Sequence, residues 1–243
     1  MNLSTYWKDT RAPRYSLLFA LPLVVLYESL AIALAEPGGG GVRNAADLIL
    51  KDLFTAAAGA HGHILFWVCL IGVGLWLVAR DLRKNGRTLR PATFGVMLGE
   101  SAALALVVGT VVGTLTSTIL RPMTLAVGPD PSSFDWPTRL MVSVGAGLYE
   151  ELLFRVLLVS LLASAGMHLL GLRAVTAGVW AAVGGAAVFS AFHYLGPFGD
   201  RLELYSFTFR FVAGLFFSGL YLLRGFGITA WTHALYDVFL LVI

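Results

Sequence analysis

The chain has 243 residues, of which 58% are apolar and 13% are Asp, Glu, Lys or Arg, against about 25% charged residues in a typical soluble domain. With a mean hydropathy of +0.80, this composition speaks against a soluble globular domain and excludes a disordered chain, a collagen-like chain and a disulfide scaffold. The net charge of +3 comes from basic residues scattered between apolar runs, which argues against nucleic acid as a partner and for topogenic charges beside a lipid bilayer.

A bilayer-crossing helix needs about 17–25 apolar residues. That ruler predicts spans near 15–35, 64–82, 93–119, 138–163, 174–194, 204–223 and 227–243. The expected fold is an all-α polytopic membrane helix bundle of about seven to eight transmembrane helices, forming one domain over residues 1–243. The first fourteen residues hold Lys8, Arg11 and Arg14, and the apolar run behind them is span-length, so the first span reads as a retained anchor and not a signal peptide. After it comes E-P-G-G-G-G-V at 36–42, then a segment at 44–58 that sets Leu48, Leu53 and Phe54 beside Asp47, Lys51 and Asp52. This segment is either an amphipathic helix lying in the interface or an ordinary loop helix.

Cys69 lies inside the second span and is the only cysteine, so it makes neither an internal disulfide nor a metal cluster. The glycines at 38–41 lack a following Gly-Lys-Ser/Thr and form no phosphate loop. Gly184 and Gly185 fall mid-span, where small residues let helices approach closely. No internal repeat stands out. Basic residues near the span ends divide ten to five in favour of the side holding the N-terminus. The expected location is therefore the bacterial inner (plasma) membrane with a cytoplasmic N-terminus, and the loop at 121–137 outside.

Nine ionisable residues fall inside these spans: Glu28, Glu100, Glu150, Glu151, Arg155, His193, Arg210, His233 and Asp237. Each costs about 2.5–3.5 kcal/mol at the bilayer centre on insertion scales, so each must face a partner or a watery cavity. The densest cluster is Y-E-E-L-L-F-R at 149–155. On a helix Glu151 and Arg155 share a face at i and i+4 and can pair. Glu150 is turned about 100° away and has no arginine there, the setting of a general base. The fifth span ends F-S-A-F-H (Phe189 to His193), and the last holds H-A-L-Y-D, with His233 and Asp237 again at i and i+4.

Three chemistries could use this set. Glu150 and His193 could deprotonate a water while His233 and Asp237 face the developing oxyanion. Glu150, His193 and His233 could instead bind a zinc ion, or the residues could form a proton path in a transporter. A non-catalytic scaffold or immunity protein would keep the ion pairs and tolerate loss of Glu150. Other intramembrane proteases fit poorly. H-E-x-x-H is absent, H-G-H at 61–63 sits in a loop, and Ser218 has no distinctive motif around it. Tyr236-Asp237 resembles the first motif of the aspartyl enzymes, but residues 196–200 read G-P-F-G-D in place of G-x-G-D.

Taken together, E-E-x-x-x-R (Glu150, Glu151, Arg155), F-x-x-x-H (Phe189, His193) and H-x-x-x-N/D (His233, Asp237), in that order on three apolar spans, resemble the CPBP family. These are the CAAX-protease and bacteriocin-processing proteins, also called the Abi family. The resemblance covers about the last hundred residues, so the catalytic half is expected at about 138–243. It implies a glutamic-type intramembrane endopeptidase without a cofactor. Glu150 and His193 would activate water, His233 and Asp237 would form the oxyanion hole, and Glu151, Arg155 and Phe189 would support them. An amide donates to an oxyanion whereas an ionised carboxylate repels it. Asp237, where the family pattern takes Asn or Asp, is therefore expected to be protonated, to orient His233 or to act through water. The implied partner is a membrane-anchored protein or peptide, cut near its C-terminal or membrane anchor, as in the processing or sorting of exported proteins. Nothing in the chain selects a prenylated substrate or an oligomeric state.

Overall fold

The computed structural model describes residues 2–35, 41–86, 88–120, 134–195 and 199–242, and all regular structure among them is helical. Gly38 to Gly40, most of the predicted outer loop (121–133) and the 196–198 part of G-P-F-G-D lie outside the described residues.

The chain opens with a short helix ahead of the first predicted span. Helix α1 (Leu3–Arg11) is capped by Asn2, whose side chain accepts the Thr5 N–H at 2.9 Å. It ends because Ala12 precedes a proline and must be extended, at φ −68° and ψ 145°. Pro13 then starts α2 (Pro13–Ala33) at the position where a missing N–H is harmless. Helix α3 (Ala45–Ala58) is capped by Asn44 and is the predicted amphipathic segment. It does not lie loose: Ala46, Asp47, Leu50 and Lys51 are buried, while Leu48 and Leu53 are exposed.

Helix α4 (Gly62–Asn85) folds back on α3. The reversal needs Gly59, at φ +57°, and Gly62, where an added Cβ would stand 2.3 Å from the Thr55 Cα. Helix α5 (Pro91–Ile119) follows. Next comes a continuous rod over 136–168, made of α6 (Trp136–Gly145), a π-helical stretch (Ala146–Val159) and α7 (Ser160–His168). Asp135 caps it by accepting the Thr138 N–H at 3.1 Å, and hydrogen bonding to Thr138 holds the Asp135 carboxyl below the usual range. Helices α8 (Ala174–Phe192), α9 (Leu204–Arg224) and α10 (Phe226–Leu241) complete the bundle, with Gly225 at φ +79° turning α9 into α10.

Every predicted span coincides with a helix or with the rod. Among the described residues five stretches are long and apolar enough to cross a membrane: Pro13–Ala33, Ala45–Asn85, Pro91–Ile119, Ala174–Phe192 and Leu204–Arg224. The expected count of seven to eight exceeds this. The rod is divided by its π-helical stretch and carries Arg139, Glu150, Glu151 and Arg155, and α10 has only 16 residues.

Helix α10 is the centre of the packing, touching α2, α5, α6, α9 and the π-helical stretch. One core cluster beside it joins Leu23, Tyr27, Leu50, Phe66, Leu148 and Tyr149; another joins Phe19, Met97, Val108, Val112 and Phe217. Trp231 of α10 packs against both, and its Nε1–H donates to the Phe19 carbonyl at 2.6 Å. The opposite extreme is α4, whose Ile64, Val68, Leu75 and Trp76 are more than half exposed, as a lipid-facing surface requires. Small residues set the closest crossings. A Cβ at Gly185 would meet Val159 Cγ2 at 2.5 Å, so the predicted close approach at Gly184-Gly185 is found at the second glycine.

At the end of the bundle holding α1, Arg224 grips Glu100 through two bonds of 2.6 and 2.7 Å, and Tyr6 donates to the same carboxylate at 2.6 Å. Burial and this carboxylate push the Tyr6 phenol above its ordinary range. The Arg224 guanidinium also lies 4.6 Å from the Trp7 ring, tying α1 to α5 and α9.

Candidate active site

The π-helical stretch has wide turns, with the Ser160 N–H reaching five residues back to the Arg155 carbonyl. Such stretches are rare and concentrate at functional sites. This one carries the whole Glu150, Glu151 and Arg155 motif. Glu151 is fully buried and joins two other motif residues. Its Oε2 lies 3.2 Å from Arg155 Nε, and its Oε1 lies 2.7 Å from His233 Nδ1. The first contact is an ion pair by distance without hydrogen-bond alignment, and the Arg155 nitrogens have no hydrogen-bond partner among the described residues. The guanidinium is instead held against aromatic faces, 4.4 Å from the Phe189 ring centroid and 5.7 Å from that of Phe217.

Glu150 points elsewhere, as its position beside Glu151 predicts. It is 8% exposed, and its Oε1 accepts a hydrogen bond from Asn44 Nδ2 at 2.9 Å. Asn44 lies one residue before α3, far from all three motifs in sequence.

His193 closes the C-terminal end of α8. Its Nδ1 lies 2.8 Å from the Phe189 carbonyl. A carbonyl only accepts, so the assigned proton is on Nδ1 and the neutral ring presents Nε2 as a base. The His193 carbonyl accepts the Asp200 N–H at 2.9 Å, and the Asp200 carboxylate pairs with Arg210. Arg210 also donates to Ser206 Oγ at 2.8 Å. Arg210, a span charge without an assigned role, thus anchors the α8–α9 connection behind His193.

His233 stacks on Phe217 at 4.3 Å, and its Nε2 lies 3.7 Å from Asp237 Oδ2. Helix α10 comes this close to the rod because Gly147 has no side chain. A Cβ there would meet the Ala230 carbonyl oxygen at 2.4 Å and the Ala234 nitrogen at 2.5 Å. Phe189 stands between the two histidines, its centroid 4.9 Å from the His193 ring and 6.4 Å from the His233 ring.

The predicted residues therefore assemble in three steps. Glu151 touches both Arg155 and His233, Asp237 faces His233, and Phe189 packs against His193, His233 and Arg155, while Glu150 is held by Asn44. Among the described residues no group of three His, Cys, Asp or Glu side chains is drawn together as a metal site. Asn44 and Phe217 are the neighbours that sequence reasoning missed. A capping role for Asn44 was readable from its place before an amphipathic run; its contact with Glu150 was not.

A second feature borders the rod. A cavity of about 670 Å³ lies between α2, α4 and the rod, lined by Leu17, Leu21, Trp67, Leu148, Tyr149 and Leu152 among others. No candidate catalytic residue lines it, although Tyr149 is the neighbour of Glu150.

All three motifs lie within one recognisable region. Residues 132–239 match the family model for the Rce1-like type II CAAX prenyl endopeptidases. This is the CAAX-protease family that the motifs resemble, so the region is CAAX-protease-like and the apolar helices around it mark an integral membrane protein. Residues 1–131, including Asn44, lie outside the match. No curated protein and no solved structure matches the chain.

Proposed function

We propose that this protein is an intramembrane endopeptidase that hydrolyses a peptide bond of a membrane-anchored protein near its anchor, using water activated by Glu150 and His193. The observation that carries the reading is the pair His193 and His233 flanking the Phe189 ring, with Glu150 held on one oxygen by Asn44, inside the region that matches the CAAX endopeptidases.

Water would sit between Glu150 and His193 Nε2. Asn44 occupies one Glu150 oxygen, leaving the other to take the water proton as the hydroxide attacks the scissile carbonyl carbon. His233 would face the resulting oxyanion through Nε2–H, its Nδ1–H being committed to Glu151. In this role the His233 ring carries both protons. Asp237 is best suited to orienting that ring, since its carboxylate lies 3.7 Å from Nε2 and would repel an oxyanion directly. The proton taken by Glu150 passes to the leaving amine, and no covalent intermediate forms.

All seven predicted spans are taken to cross the inner membrane of a bacterium, with α1 on the cytoplasmic side. His193 and α3 then lie towards the outside, which suits processing or sorting of exported proteins. The test compares membranes containing the overproduced protein with membranes lacking it, using mass spectrometry of released C-terminal peptides with and without EDTA. The expected result is protein-dependent release that EDTA leaves unchanged. Absence of release would contradict the endopeptidase, and release abolished by EDTA and restored by zinc would contradict the metal-free mechanism.

A further inference from the structure

We propose that Asn44 is a positioning residue for Glu150, so that the site is completed from outside the region carrying the motifs; this rests on Glu150 being the water-activating carboxylate.

The orientation of the Asn44 amide is fixed at both ends. Its Oδ1 accepts the Ala46 N–H at 2.9 Å and caps α3. Its Nδ2 must then face Glu150 Oε1, at 2.9 Å. The flipped amide would set oxygen against carboxylate and NH₂ against N–H, losing both bonds. Both residues are buried, Asn44 at 5% and Glu150 at 8% exposure, so neither bond is replaced by bulk water without movement.

The backbone of Asn44 is held as firmly as its side chain. The Asn44 N–H donates to the Tyr27 hydroxyl at 3.1 Å, and that hydroxyl donates to Asp47 Oδ2 at 3.0 Å. Asp47 is held in turn by Lys51 at 2.6 Å and Arg43 at 2.7 Å. Glu28 accepts from Tyr149 at 2.6 Å and from Lys51 at 3.2 Å, which ties the same network to the residue next to Glu150. Gly145 lets this assembly reach the rod. A Cβ there would stand 2.5 Å from the Tyr27 ring and 2.9 Å from Asn44 Cβ.

A carboxylate on a helix keeps several rotamers unless something selects one. The titratable and charged groups facing Glu150 include His193 at the end of α8, His233 and Asp237 on α10 and Arg155 on its own stretch. Asn44 is a neutral donor that holds one oxygen and so aims the other, without neutralising the base. Displacement of a reacting group by about 1 Å can lower a rate by about a hundredfold.

The test uses the full-length protein in lipid vesicles. The probe is a quenched-fluorescent copy of the peptide whose release from membranes depends most strongly on Glu150. Asn44→Ser keeps a capping oxygen for the Ala46 N–H but cannot reach Glu150. The expected result is a fall in kcat of about ten- to a hundredfold, with KM within about twofold and the melting temperature unchanged. Asn44→Asp also keeps the cap, removes the donor and sets a like charge against Glu150, so its kcat falls further. A parent-like kcat in either variant, or a fall in kcat matched by a fall in melting temperature, overturns the proposal. If no peptide is released in a Glu150-dependent manner, the functional reading fails and this inference with it. Glu150-dependent release with parent-like Asn44 variants defeats only the inference.

Discussion

The helices before the rod and the region matching the CAAX endopeptidases both bury charge, but they leave it in different states. Before the rod, carboxylates meet cations or phenols: Asp47 has Lys51, Arg43 and Tyr27, and Glu28 has Lys51, Arg43 and Tyr149. Glu100 has Arg224 and Tyr6. In the motif region Glu151 and Asp200 are paired in the same way, with Arg155 and Arg210, but Glu150 meets an amide and His193 a backbone carbonyl. A carboxylate held at both oxygens by cations or phenols ties helices together and is neutralised as a base. A carboxylate with one oxygen held and a histidine with one nitrogen held keep a reactive atom in reserve. The difference separates two uses of buried charge: one closes a structure and the other poises it.

The comparison breaks if the two groups of residues respond alike to substitution. The largest effect is expected at His193→Ala, which removes the Nε2 that would hold the attacking water beside Glu150. Peptide release should fall by about 10²–10⁴-fold, the usual range for a general base, while the melting temperature of the purified protein stays within a few degrees. Arg224→Leu should do the reverse. It strands Glu100, whose side chain is 22% exposed, and should destabilise by up to about 3 kcal/mol, the low end for a broken buried pair. Denaturant unfolding should show that loss, and kcat per folded molecule should stay near the parent value.

Gly147→Ala joins the two responses, because the added methyl strikes the α10 backbone beside His233. We expect about 1–3 kcal/mol of destabilisation, as for overpacked sites, together with lost activity. Thermal melts and peptide release measured on the same preparation would check this. The smallest effect is expected at Asp237→Asn, which keeps a polar partner near His233 Nε2 and removes a carboxylate from the oxyanion side. Activity should remain within a few-fold of the parent.

Much of this was legible in the chain. The seven apolar runs mark helices because lipid demands continuous apolar length. The three motifs mark the candidate site because an ionisable group in a span needs a reason to be there. Glu151 and Arg155 pair as i and i+4 neighbours should, even though the helix between them is π-helical. Other features were not readable because they depend on through-space contacts. Residues 45–85 read as a loop segment and a span, and Gly59 and Gly62 close them into a hairpin. No residue in 146–159 signals the wide turns. Glu28 reads as an isolated charge, and only the fold brings Lys51 and Tyr149 to it. Asn44 carries no sequence signal for a contact with Glu150, and the missing side chain of Gly145 allows it to approach the rod there.

The central claim is that Glu150 is a poised base and not a structural ion-pair partner. The most direct measurement is kcat of purified Glu150→Gln beside the parent, in lipid vesicles, on the quenched-fluorescent peptide. Gln keeps the size of the side chain and an oxygen for Asn44 Nδ2 to donate to, so the fold should hold. The account predicts a correctly melting protein with kcat lowered by at least about 10²-fold. A folded Glu150→Gln protein that cleaves at the parent rate would contradict it.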